Sequence, residues 1–192
     1  MDSLKELFKI GNGPSSSHTI GPERAAKKFK ERTPDADKYI VELYGSLALT
    51  GKGHLTDWII VETLKPVETE IVWKPEVVYD YHTNGMKFKA LDNNGNTQVE
   101  WVVFSVGGGT IMELGQERRG PSKIYPFSKM DDIKKWCEEG KKEYWEYVVE
   151  HEGEEIFDFL KEIWEAMEAA VERGIEKTGV LPGTLKLSRR AQ

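Results

Sequence analysis

Residues 13 to 22 read GPSSSHTIGP, with three serines, a histidine and a threonine set between two Gly-Pro pairs. The hydroxyls of Ser15, Ser16, Ser17 and Thr19 are neutral hydrogen-bond donors, and His18 brings the one side chain that exchanges a proton near neutral pH. Pro22 suits the first turn of a helix, and Glu23 suits the positive end of one. A helix starting near Thr19 to Pro22 would add unpaired amide N–H groups and about half a positive charge to those hydroxyls. Such a set can hold a carboxylate without a formal cation. The same field favours the neutral imidazole of His18, the form able to take a proton. The competing reading is a capping cluster with a surface histidine, and both stay open on these residues alone.

Two further loops carry candidate chemistry. Residues 45 to 53, GSLALTGKG, fall between a strand and a helix but miss the phosphate-loop spacing, because Gly45 lies one residue too far upstream and Gly53 replaces the hydroxyl residue. His54 and Thr56 remain as polar groups on the first turn of the next helix, where free amides favour an anion. Residues 104 to 111, FSVGGGTI, put Ser105 and then Gly107, Gly108 and Gly109 at the end of a strand. Three glycines in a row permit either a close approach of backbone to a ligand or a bulge and bend.

The elements that must position these loops follow from pattern. DSLKELFKIG reads as a short amphipathic helix ended by Gly11, GPERAAKKFKERT as a helix closed by Pro34, and DKYIVELYG as a strand. HLTDWIIVETLKP reads as a helix with Leu55, Trp58, Ile59 and Glu62 spaced by threes and fours. Three strands are expected next, EVVYDYH, MKFKAL and TQVEWVVFSV. Asn84-Gly85 would turn the first hairpin and Asp92 to Asn96 the second, giving a β-meander. From Met130 the chain turns helical and acidic. Ile156, Phe159, Leu160, Ile163, Trp164, Met167, Ala170 and Val171 keep a 3.6-residue rhythm up to the cap at Gly174, with the glutamates on a solvated face. The fold class is α+β, helices packed on a mainly antiparallel sheet, followed by a helical extension. The expected divisions are 1–125, 126–178 and 179–192.

Composition narrows the function. The 192 residues hold 27 Lys and Arg against 33 Asp and Glu, a net charge of −6, which argues against nucleic acid or an anionic membrane as partner. The 39% hydrophobic content supports a packed core. No apolar run is long enough to cross a bilayer and the first residues lack a secretory layout, so the expected location is cytoplasmic. Cys137 is the only cysteine, so neither an internal disulfide nor a cysteine-built metal centre can come from this chain.

LFKIGNGPSSSHTIGPERAA closely resembles the start of the iron–sulfur-dependent L-serine dehydratases, or L-serine ammonia-lyases. GKGHLTD, FSVGGGTI, YPFSKMDDI and ERGIEKTGVLPGTLKLSRRA agree with the same family in order, from Leu7 to Ala191. Five ordered blocks are far more specific than any one of them. The resemblance implies conversion of L-serine to pyruvate and ammonia by a β domain joined to a larger α domain. In that family a [4Fe-4S] cluster, held by three cysteines of the α domain, leaves one iron open to the substrate hydroxyl. This chain would then be the β domain, its connecting helices and the opening of the α domain from residue 179, with no cluster of its own. Thr184 departs from the family's usual second glycine after LPG. On matching positions, the resemblance implies His18 as general base and Ser16, Ser17 and Thr19 as substrate-loop donors. Ser105 and Gly107 to Gly109 would form a second wall, and His54 is a further substrate-side candidate. The implied partners are L-serine and the α domain, which would cover apolar surface between Met130 and Gly174; without it, self-association into a homo-oligomer is expected. The alternative is a regulatory module that binds serine without turning it over, since the family's β domain resembles the substrate-sensing domain of some phosphoglycerate dehydrogenases.

Overall fold

The computed structural model describes residues 1–116, 123–181 and 185–189. They fall into two compact units, Gly11–Arg118 and a second made of Met1–Ile10 with Arg119–Gln192. Thr184 lies outside the described residues.

The first unit is built on five strands, β1 (Lys38–Tyr44), β2 (Glu68–Lys74), β3 (Gly85–Leu91), β4 (Thr97–Gly107) and β5 (Thr110–Glu113). They lie in the order β2-β1-β3-β4-β5, with β1 and β2 parallel and the other neighbours antiparallel. The fold is α+β. Helices α2 (Gly21–Arg32), α3 (Gly45–Thr50) and α4 (Thr56–Leu64) belong to the same unit, and α3 and α4 make the crossover that a parallel β1–β2 pair requires.

Alternation on the strands decides which face is buried. Tyr39, Val41 and Leu43 of β1, Met86, Phe88 and Ala90 of β3, and Trp101 and Val103 of β4 form one core with Ala25, Ala26 and Phe29 of α2 and Ile59, Ile60 and Leu64 of α4. On the other face Glu42 is clamped at 2.8 Å by both Lys74 and Lys89 and accepts the Tyr44 hydroxyl at 2.6 Å.

The strand expected over 76–82 is not formed. That segment makes only an isolated Tyr79–His82 bridge, and the second strand is instead Glu68–Lys74. The aromatic side chains that suggested a strand are used for packing: Tyr79 lies against Tyr44 and Phe104, and Tyr81 against Phe104. Asn84-Gly85 therefore leads into β3 instead of turning a hairpin, and the meander is β3-β4-β5. In α4 the buried face is Thr56, Ile59, Ile60 and Leu64, while Trp58 is exposed.

The second unit holds α1 (Leu4–Leu7), α5 (Met130–Gly140), α6 (Tyr144–Glu152) and α7 (Ile156–Glu176). Tyr125, Ile133, Cys137 and Tyr147 make its small core. The buried Glu152 carboxylate accepts bonds from the Ser3 hydroxyl, the Leu4 amide and the Tyr125 hydroxyl, which ties the first residues to α6. Helix α7 buries only Ile156 and Ile163, so most of its apolar stripe faces solvent. Among the described residues no helix is long and apolar enough to cross a membrane.

Candidate functional site

The helix carrying His18 starts earlier than Thr19. Ser15 is its cap, with an extended backbone and a hydroxyl that accepts the His18 amide at 3.1 Å. Ser16–Ile20 then form a single π turn that runs directly into α2. Within it the Thr19 and Ile20 amides both donate to the Ser15 carbonyl, at 3.0 and 3.1 Å. Single π turns of this kind recur at functional sites, where they re-aim a side chain.

The His18 ring is half-buried. Its Nδ1 lies 2.9 Å from the Ser17 hydroxyl and its Nε2 3.3 Å from the hydroxyl of Ser46, the second residue of α3. The His54 ring stands beside it, with centroids 4.8 Å apart. Burial, and then the charge His54 carries when protonated, hold the His18 imidazole below its ordinary value, against a smaller opposing effect from Ser46. His18 is thus kept as a neutral ring whose weaker contact is at Nε2. Nδ1 of His54 lies 3.0 Å from the Thr50 carbonyl, which can only accept, so that nitrogen carries a proton, and in the neutral tautomer Nε2 is the nitrogen with the lone pair. His54 sits in the turn before α4, which begins at Thr56.

Two other residues hold the site from within. Thr19 is fully buried and donates its hydroxyl to the His54 carbonyl at 2.8 Å, which pins the turn. Ser105 is also fully buried, with its hydroxyl under Gly21 and without a hydrogen-bond partner among the described residues. Both were expected to face substrate; in this structure both side chains are fully buried.

Gly107 to Gly109 form the β4–β5 turn, with Gly107 paired to Thr110 and positive φ at Gly107 (+104°), Gly108 (+58°) and Gly109 (+71°). Positive φ at both central residues, Gly108 and Gly109, is the signature of a tight two-residue hairpin, which glycine adopts without steric cost. The turn lies against Ile20, where a Cβ on Gly109 would meet Cγ2 at 2.8 Å, and its Gly109 carbonyl accepts from Arg24 at 3.2 Å. The structure therefore joins His18 to Ser17, Ser46 and His54, and seats the glycine turn on the far end of the same π turn.

Sequence reasoning did not select Ser46. Its signal was present in the GSLALTGKG loop, but its contact with His18 spans 28 residues and no local pattern reports it. Among the described residues no group of three or more His, Cys, Asp or Glu side chains could hold a metal ion. Cys137 is buried, and burial with the carboxylates of Glu143, Glu146 and Glu138 pushes its thiol up. One protonated thiol does not supply the thiolates an iron–sulfur cluster needs, so the donor set of this chain does not fit that group.

A family model described as serine dehydratase beta chain matches residues 3–72 and 62–116. Among curated proteins the chain is 33% identical to L-serine dehydratase 2 of Escherichia coli (strain K12), in a match covering 100% of this chain and 53% of that protein. It is 31% identical to the L-serine dehydratase of Haemophilus influenzae over 100% of this chain and 53% of that protein. For the Streptomyces coelicolor L-serine dehydratase the values are 32%, 98% and 53%. The chain spans about half the length of the curated relatives it matches. With the matched family residues forming the sheet, the π turn and the histidine pair, the chain belongs to the serine dehydratase beta chain family.

Proposed function

We propose that this chain supplies the substrate-holding part of an L-serine dehydratase, and that His18 removes the Cα proton of L-serine. The observation that carries the proposal is the half-buried His18 ring, kept neutral beside His54 with only a long 3.3 Å contact at Nε2. A neutral imidazole has a lone pair to offer, and a weakly occupied nitrogen is the one a substrate can compete for. The exposed Ser16 and half-buried Ser17 are the first residues of the π turn, and their amides and hydroxyls would take the serine carboxylate. His54 Nε2 would accept a bond from the substrate ammonium. The Gly107–Gly109 turn would close the side of the loop next to Ile20.

The chemistry balances simply. The Cα proton passes to His18 and is returned to the departing β-hydroxyl, which leaves as water and gives aminoacrylate; the imine tautomer then takes up one water and hydrolyses to pyruvate and ammonia. The proposed partner is the α domain, which corresponds to the part of the relatives beyond this match, and the iron–sulfur centre would belong to it. The test combines this chain with a separately produced α domain under anaerobic, iron-replete conditions and follows pyruvate formed from L-serine. His18→Ala should lower kcat by about 10²–10⁴-fold, the usual worth of a positioned general base. Turnover indifferent to that substitution would remove His18 as the base. Serine binding without any turnover would favour the regulatory module.

A further inference from the structure

The His18 turn and the His54 turn are joined by two reciprocal hydrogen bonds. Thr19 donates its hydroxyl to the His54 carbonyl at 2.8 Å, and Thr56 donates its hydroxyl to the His18 carbonyl at 2.5 Å. Both threonines are fully buried. The Thr56 bond has a specific cause in the sequence. In a helix running through residue 22 the His18 carbonyl would accept from the amide of that residue, but Pro22 has no N–H. The α-helical bonding position at this carbonyl is therefore open to a donor from outside the helix. Thr56 provides it from the first residue of α4.

The backbone between His54 and Thr56 is itself unusual. Leu55 has φ +58°, the left-handed region that a branched side chain seldom occupies. Such strain persists only where the surroundings over-determine it. Here the His54 and Thr56 amides both bond to the Gly51 carbonyl, at 3.1 and 2.9 Å, while the two threonine hydroxyls fix the carbonyls of His54 and His18. Four bonds therefore set where the two rings meet, and none of them involves a ring atom.

We propose that Thr56 is a positioning residue: its hydroxyl, standing in for the N–H that Pro22 lacks, holds the His18 turn so that the His18 ring lies against the His54 ring. The inference rests on His18 acting as the base, but its measurement needs no turnover, so the two can fail separately. The titratable group facing His18 is His54, from the turn before α4; Ser17 and Ser46 present neutral hydroxyls.

The test uses the 192-residue chain with labelled histidines and reads two quantities by NMR, the NOE between the two imidazole rings and the titration midpoint of His18. Thr56→Val keeps the shape and removes the hydroxyl; it should abolish the NOE and raise the midpoint as the ring moves away from His54 and into water. Thr56→Ser, which keeps the hydroxyl, should restore both. Should Thr56→Val not fold, Thr19→Val cuts the reciprocal bond and must move the same two readouts. A folded valine variant with both readouts unchanged overturns the proposal. Failure of both valine variants to fold also overturns it, since the hydroxyls would then be holding the fold and not the ring pair. If Thr56→Val loses the NOE while pyruvate formation with the α domain is undiminished, the positioning stands and the role given to His18 falls.

Discussion

Gly21→Ala probes the packing beneath the candidate base directly. Gly21 is buried at the junction of the π turn and α2, and an added Cβ would lie 2.9 Å from Ser105 Cβ and closer still to its hydroxyl. Carbon atoms in contact sit about 3.5–4.0 Å apart, so β4 and the helix would have to separate by about 0.6 Å or more. Overpacking of this size costs about 1–3 kcal/mol, partly offset by the roughly 1 kcal/mol that alanine gains over glycine in a helix. With two Ser105 atoms inside contact distance the upper half of that range applies, and the net expectation is a loss of about 1–2 kcal/mol. Ser105→Gly removes both obstructing atoms and breaks no hydrogen bond among the described residues, because that hydroxyl has no partner. Alone it should cost about 0.5–1 kcal/mol, through the flexibility of glycine in a strand. In the double variant the helix-propensity gain is no longer opposed, so stability should return close to that of the unaltered chain. The coupling is then about 2 kcal/mol, well above the roughly 0.3–0.5 kcal/mol scatter of independent sites. Urea unfolding followed by the fluorescence of Trp101, which lies in the same core 6.1 Å from Phe29, reads all four corners of the cycle. Additive effects would refute the close approach of Gly21 to Ser105 as the reason for glycine there.

Two further outcomes can be measured on the chain itself. Burial alone would raise the Glu42 carboxyl, but bonds from Lys74, Lys89 and Tyr44 hold it down to about 2 from 4.5. A depressed carboxyl contributes its stability above the unfolded value and loses it as pH falls, here between about pH 4.5 and 2. With the ammonium groups partly in solvent, that contribution discounts to roughly 1–2 kcal/mol. Glu42→Gln should remove it at neutral pH and flatten the acid limb of a stability–pH curve; an unchanged acid limb would contradict the clamp. On α7, Phe157, Trp164, Met167, Val171 and Ile175 are each half or more exposed along one stripe. A stripe of that size favours association in water, so sedimentation of the isolated chain should show concentration-dependent mass that Trp164→Glu reduces. A monomer at every concentration would count against it.

The fold was legible where local pattern and tertiary role agree. β1 is apolar or β-branched at the positions that face α2 and α4, and DKYIVELYG reads as a strand for that reason. The misreading fell on residues 68–82, where the two signals part. β2 sits at the edge of the sheet, so its Glu68, Glu70 and Lys74 are tolerated and dilute the apolar signal. Tyr79 and Tyr81 are rich in strand propensity but spend their rings on Tyr44 and Phe104. Propensity records a fit to a half-buried surface, and a loop folded over a sheet offers the same surface without a ladder. The α7 rhythm shows the converse: helical periodicity is correct over 156–176, yet it does not say whether the apolar face is covered within the chain.

At the site, His18 was legible as a residue and its surroundings were not. Ser46 and Thr56 reach it across 28 and 38 residues, separations over which no spacing rule operates. Yet a signal for Thr56 was present. The first segment reads His18-Thr19 and the second His54-Leu55-Thr56, and Pro22 deletes the amide that would bond the His18 carbonyl in an α-helical register. Pro22 offers no amide in the α-helical position for that carbonyl, which leaves room for a hydroxyl from elsewhere, and Thr56 fills it. Thr19 then fixes which segment supplies it, because the hydroxyl beside His18 finds its acceptor at His54. The residue that makes the loop look like a helix start is thus the same one that leaves the α-helical bonding position at the His18 carbonyl open to Thr56, on the segment that carries His54.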